Sequence, residues 1–165
     1  MSSFNVFSIK EISDTIDVNY KSATLLMNYA IPYMKKGDVI LNVSSASSFQ
    51  PKPKLSLYGA IKSFLRSYSR AINQELKPKD IHVCAVCPGW IDTDMLIKET
   101  VDRKKIKFHR LAKKVVKKAL KDDKKRKDMS VCSLYVKYEH LVSKLWPHKI
   151  IMKIWIKLIS KYKID

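Results

Sequence analysis

Between Ser8 and Met34 the apolar residues Ile12, Ile16, Val18, Ala23, Leu25, Leu26, Tyr29 and Ala30 fall on one broad stripe at helical spacing, which predicts a helix. Ser8-x-x-Glu11 marks its start as a capping box. Pro32 is expected to bend the last turn, and Gly37 to cap the C-terminus. The period then changes. Asp38 to Ser45 is a short, continuous apolar run rich in β-branched residues, the pattern of a strand covered on both faces. A Ser/Pro/Lys-rich loop follows, from Ala46 to Leu55. Helical spacing returns from Ser56 to Leu76, carried by Ile61, Phe64, Leu65, Tyr68, Ala71, Ile72 and Leu76, and Pro78 and Asp80 end it. Ile81 to Cys87 is a second buried-type strand, stopped by Pro88-Gly89.

Strand, helix and strand, with both strands apolar throughout, predict a parallel right-handed crossover and so an α/β layered fold. Ligands of such sheets bind beyond the carboxyl ends of the strands. Those ends are Ser44-Ser45 and Pro88-Gly89, which locates a candidate site. Further on, the pattern gives a short helix near 95–101, a basic helix from about His109 to Lys121 and a charged turn over 121–127. A last edge strand is expected within 129–134. A helical tail follows from Tyr135, broken at Pro147.

Composition narrows the chemistry. A chain of 165 residues, 46% hydrophobic and 29% charged, suits one globular core. Three glycines, Gly37, Gly59 and Gly89, cannot build a glycine-rich phosphate loop. No apolar run reaches the roughly 18 residues that span a bilayer, and no signal peptide is seen. Cys84-x-x-Cys87 invites a metal or redox reading, but only Cys132 remains as a further thiol, and packing in a strand is the better reading. His109, His140 and His148 have no ligand spacing, and His82 reads as a core or edge histidine, so no metal is expected. Asp92 and Asp94 read as helix caps. Three cysteines without a disulfide framework fit a reducing cytoplasm.

One constellation carries chemistry. Tyr58-Gly-Ala-Ile-Lys62 sets a phenol and an ammonium one helical turn apart on one face. A free phenol has a pKa of about 10, and a nearby cation favours the phenolate, so the pair suits a general acid/base. With eight tyrosines, and lysine at about one residue in six, one such pair is expected by chance. The context gives it weight: it opens a helix between two buried strands, and Ser45, at the preceding strand end, offers a hydroxyl to an oxygen on which charge develops.

These segments together resemble the short-chain dehydrogenase/reductase family over about residues 5–134. Ile-Asp-Val-Asn (16–19), Asn-Val-Ser-Ser (42–45), Tyr-Gly-Ala-Ile-Lys (58–62) and Val-Cys-Pro-Gly-Trp-Ile-Asp-Thr-Asp-Met (86–95) stand in that family's order and spacing. The resemblance implies a catalytic set of Asn19, Ser45, Tyr58 and Lys62. Tyr58 would be the acid/base and Ser45 would orient the substrate oxygen. Lys62 would lower the pKa of Tyr58 and bind the nicotinamide ribose, and Asn19 would complete a tetrad through a water. Pro88, Gly89, Ile91 and Thr93 match the loop that contacts the nicotinamide end of NAD or NADP. The substrate would be a small carbonyl/alcohol pair, and the complete enzyme a homo-oligomer.

The departures bear on function. The family's first strand, its Thr-Gly-x-x-x-Gly-x-Gly turn, two further strands and an Asn-Asn-Ala-Gly strand end are not found. The expectation is therefore a partial Rossmann-like, doubly wound parallel sheet with only its C-terminal strands and helices: a truncated oxidoreductase with impaired cofactor binding. The rival is a non-catalytic remnant that binds a membrane or a partner through its basic C-terminal part.

Charge divides the chain in support of that rival. Residues 1–97 hold 11 basic and 8 acidic residues, whereas residues 98–165 hold 22 and 7. The division expected is a dehydrogenase portion, 1–134, and a basic amphipathic tail, 135–165. Lys149, Lys153, Lys157 and Lys161 drift by only about 40° per step and form one stripe. Opposite them lie Ile151, Met152, Ile154, Trp155, Leu158, Ile159 and Tyr162. Such a helix packs on the protein or a partner subunit, or lies in an anionic membrane interface through 147–163. Nucleic acid is disfavoured, because a wide apolar face does not call for phosphates. The location expected is cytoplasmic, with membrane association as the alternative.

Overall fold

The computed structural model describes residues 7–92 and 110–161. Helix α1 (Ile9–Ile16) begins at Ser8, whose hydroxyl accepts from the Glu11 N–H while the Glu11 carboxylate accepts from the Ser8 N–H, the reciprocal cap predicted. The expected single helix is not uniform. A five-residue π-helical turn, Asp17–Lys21, separates α1 from α2 (Ser22–Ala30), and Pro32 sits in a 3-10 turn, Ile31–Tyr33. Gly37 adopts φ 90 beyond that end, and its N–H donates to Asp80 O at 3.0 Å. Its left-handed backbone therefore serves the turn into the next strand instead of capping the helix.

Strand β1 (Val39–Val43) leads through a 3-10 turn, Ala46–Ser48, to α3 (Ser56–Leu76) and then to β2 (His82–Val86). The strands pair in parallel, Val39 with His82 through Val43 with Val86, as the parallel part of the expectation requires. Strand β3 (Ile91–Asp92) pairs in parallel with β4 (Arg110–Leu111), so Asp92 lies on a strand and not on a helix cap. Helix α4 (Ala112–Asp123) starts a few residues later than predicted and runs into the expected charged turn. Strand β5 (Met129–Ser130) joins β2, giving the sheet order β1-β2-β5. Helices α5 (Leu134–Leu145) and α6 (His148–Lys161) follow on either side of the break at Pro147. The predicted short helix near 95–101 lies outside the described residues, as do Thr93, Asp94 and His109.

The core follows the sheet. Every residue of β2 is buried, because β1 and β5 flank it and α3 packs against it. β1 departs from the expectation of two covered faces: Val39 and Val43 are exposed, and the residues between them are half-buried. Among the described residues no strand pairs with its other edge. Helices α1 and α2 bury little of their apolar stripe: Val18, Leu26 and Tyr29 are exposed and only Met27 is buried. Asn42 Nδ2 donates to Ser69 Oγ at 2.9 Å, which satisfies a polar group in mid-strand.

Candidate functional site

The carboxyl ends of β1 and β2 are tied together by backbone hydrogen bonds. Ser44 N–H donates to Val86 O at 2.8 Å, and Ala46 N–H to Pro88 O at 2.7 Å. The first turns of α3 are fastened to the same place. Ser44 Oγ donates to the Lys62 carbonyl at 2.7 Å, and Lys62 Nζ donates to the Val43 carbonyl at 3.1 Å. A Cβ on Gly59 would lie 3.3 Å from Ser47 O, so the small residue after Tyr58 lets the helix approach the turn after Ser45.

Within this frame Ser45 is buried on extended backbone, and its Oγ accepts from the Ser47 N–H at 3.1 Å. Its own hydroxyl proton is not spent by that bond. Lys62 Nζ lies 5.7 Å from the centroid of the Tyr58 ring, on the face expected from their spacing. Tyr58 is 37% exposed, open enough for a substrate to reach. Burial pulls the Lys62 amine below its ordinary pKa. The Val43 carbonyl takes one of its three donors, leaving others for a ligand hydroxyl.

Asn19 occupies the π-helical turn, where such distortions are frequent at functional sites. It is half-buried, and its Nδ2 donates to Thr15 O at 3.2 Å. The next residue, Tyr20, packs on Phe64 of α3 with ring centroids 4.0 Å apart, which holds this turn against the helix bearing Tyr58 and Lys62. On the opposite strand end Pro88 is buried and Gly89 is half-buried. A Cβ on Gly89 would come within 2.7 Å of Val136 Cγ2, so no larger residue fits without a shift. Ile91 packs against the cluster of Val86, Val115 and Ala119. Thr93 is outside the described residues.

The other polar groups take structural places. Burial pushes the Cys84 thiol up to about 12 and the Cys87 thiol to about 11, so both are protonated and unreactive near neutrality. His82 Nδ1 lies 2.5 Å from Asp123 Oδ1, while its buried Nε2 has no partner, so the expected core histidine is satisfied on one side only.

Sequence reasoning missed a cavity of about 490 Å³ whose walls include Gln50, Lys52, Ser63, Arg66, His148 and Met152. It also missed how α6 is held. Trp155, on the face a membrane reading turns towards lipid, is buried with Ile159 against Leu55 and Trp90. Its Nε1 donates to Pro53 O at 2.9 Å, and Lys52 Nζ lies 4.6 Å from its ring centroid while pairing with Glu139. No pattern distinguishes Lys52 from the other lysines, so only the fold reveals that clamp.

The model of the short chain dehydrogenase family matches residues 1–104. The chain belongs to the short-chain dehydrogenase family. It is 40% identical over 97 residues to hydroxysteroid dehydrogenase-like protein 1 of Gallus gallus, covering 58% of this chain and 29% of that protein. It is 33% identical over 94 residues to the human inactive hydroxysteroid dehydrogenase-like protein 1, covering 56% and 28%. The fold matches a short-chain dehydrogenase from Sphingobium yanoikuyae in complex with NADPH, with a TM-score of 0.71 at 23% identity, over 85% of this chain and 56% of that one. A 3-ketoacyl-(acyl-carrier-protein) reductase from Brucella melitensis complexed with NADH matches at 29% identity with a TM-score of 0.54, over 58% and 42%. This short-chain dehydrogenase chain thus spans less than a third of the length of the Gallus gallus and human relatives.

Proposed function

We propose that this chain carries the proton-transfer part of an NAD(P)-dependent oxidoreductase that interconverts a small carbonyl and its alcohol. The observation that carries the reading is the fastening of the β1 end to α3 through Ser44, Lys62 and Val43. It sets Ser45, Tyr58 and Lys62 around one strand terminus. In this reading Ser45 donates to the substrate oxygen, and Tyr58 gives that oxygen a proton or takes one from it. Lys62 stabilises the phenolate. Asn19 belongs to the same set, completing it through a water. Residues 1–134 are the dehydrogenase portion, and 135–165 an extension.

The residues present fit the nicotinamide-ribose end of NAD or NADP. Lys62 keeps donors for the ribose, Pro88, Gly89 and Ile91 stand at the neighbouring strand end, and Thr93 follows them in the sequence. When bound, the nicotinamide supplies or accepts a hydride. The pyrophosphate end does not fit: these 165 residues contain three glycines and no glycine-rich turn. The 165 residues by themselves therefore hold cofactor weakly. The edge of β1, unpaired among the described residues, supports further polypeptide beside it, and the exposed Val18, Leu26 and Tyr29 of α1–α2 support a homo-oligomer for the complete enzyme.

The test is a chain completed with a glycine-rich N-terminal half. Tyr58→Phe should lower turnover by roughly 10²–10⁴-fold while cofactor affinity stays nearly constant, because the phenol supplies the proton and not the binding energy. Full activity in Tyr58→Phe would overturn the assignment.

A further inference from the structure

Helix α5 carries an apolar stripe that stands exposed and that no described element covers. Leu134, Tyr138, Leu141 and Leu145 are 79%, 65%, 54% and 71% exposed, and at 100° per residue they fall within about 60° of one another. Val136 and Ser143, on the other side, are buried and anchor the helix, so its inward face is settled and the stripe faces solvent. Trp146 extends the apolar surface into the Pro147 turn at 49% exposure. Surface leucines scattered singly need no explanation, but a continuous row of them does.

The charge around the row says what covers it. Residues 134–161 hold six lysines and a single acid, Glu139. That acid is already paired with the buried Lys52. Lys137 and Lys144 are exposed on one flank of the row. Helix α6 buries Ile151, Trp155 and Ile159 and turns Lys149, Lys153 and Lys157 outward. A second copy of this chain would bring its own lysines against these. No described helix is long and apolar enough to cross a membrane.

We propose that the outer face of α5, with Trp146 and the flanking Lys137 and Lys144, docks on an anionic phospholipid bilayer. The leucine row and Trp146 enter the interface, and the lysines meet the headgroups. The apolar contact therefore comes from α5 and not from the Trp155 face of α6, which the protein itself occupies. This assignment is independent of the oxidoreductase reading.

The experiment is co-sedimentation of the full chain with vesicles of phosphatidylcholine alone and of phosphatidylcholine with phosphatidylserine. Binding should be salt-sensitive and require phosphatidylserine. The double variant Leu141→Gln/Leu145→Gln should bind roughly tenfold or more weakly, since both leucines lose the apolar surface they bury in the interface. Lys137→Gln/Lys144→Gln should weaken binding and flatten its salt dependence. Brominated lipid should quench the unmodified chain's fluorescence, and Trp146→Phe should remove most of that quenching, a readout that needs no change in the leucines. Wild-type strength in the leucine variant, no preference for phosphatidylserine, or quenching that survives Trp146→Phe would each overturn the proposal. So would self-association that the leucine changes abolish in a chain that ignores vesicles.

Discussion

Lys62 has one ammonium and two tasks in the proposed chemistry, to favour the Tyr58 phenolate and to hold the ribose. Its half-buried position and its bond to Val43 O fix where the charge sits. In a completed chain Lys62→Ala should therefore weaken cofactor binding and slow turnover together, unlike Tyr58→Phe, and paired titrations and initial rates would distinguish the two. The thiols give a second residue-scale expectation. Cys84 and Cys87 are buried, with raised pKa values, whereas Cys132 is half-buried. A disulfide reagent at pH 8 should modify one thiol per native chain and three after denaturation. Rapid reaction of all three without denaturant would contradict the placement of β2. His140 supplies a pH dependence. Burial first, then Lys144, Arg66 and Arg70, hold its imidazole below the usual histidine range. The unfolded chain thus takes up the proton more readily. Stability should fall as pH drops through the unfolded value near 6.5. Denaturant midpoints measured across that range should lose part of this slope in His140→Gln.

At the scale of elements, α6 is a structural part of the fold as well as the bearer of lysines. Trp155 is 8% exposed, donates to Pro53 and lies beside Lys52. Trp155→Ala should cost about 3–5 kcal/mol in chemical denaturation, and wild-type Trp155 should show little shift on adding vesicles. A loss below 1 kcal/mol would contradict the docking. The elements with strong periodicity were legible from sequence: α3, β1, β2 and the break at Pro147 fall where expected. The pair β3–β4 was not legible, because two residues carry no period and their pairing depends on a contact distant in sequence. The π-helical turn at Asn19 was hidden for another reason, since its residues keep a helical pattern while the hydrogen-bond spacing changes. The candidate set itself was legible through its order along the chain. The bonds that lock it, from Ser44 to Lys62 and from Lys62 to Val43, required the fold.

For the whole molecule, the sheet explains what the chain can do alone. β2 is fully enclosed, while among the described residues β1 ends the sheet, and Val18, Leu26 and Tyr29 of α1–α2 remain exposed. In the proposed reading the strand ends receive the nicotinamide, while no glycine-rich turn for the pyrophosphate is among the 165 residues. The most direct measurement of this division is one titration, NADH and NADPH fluorescence, run on the 165-residue chain and on the chain completed with a glycine-rich N-terminal half. The 165-residue chain should show weak, non-saturating changes, and the completed chain should saturate with at least one of the two cofactors. Tight saturable binding by the 165 residues alone, or no binding by a folded completed chain, would contradict it.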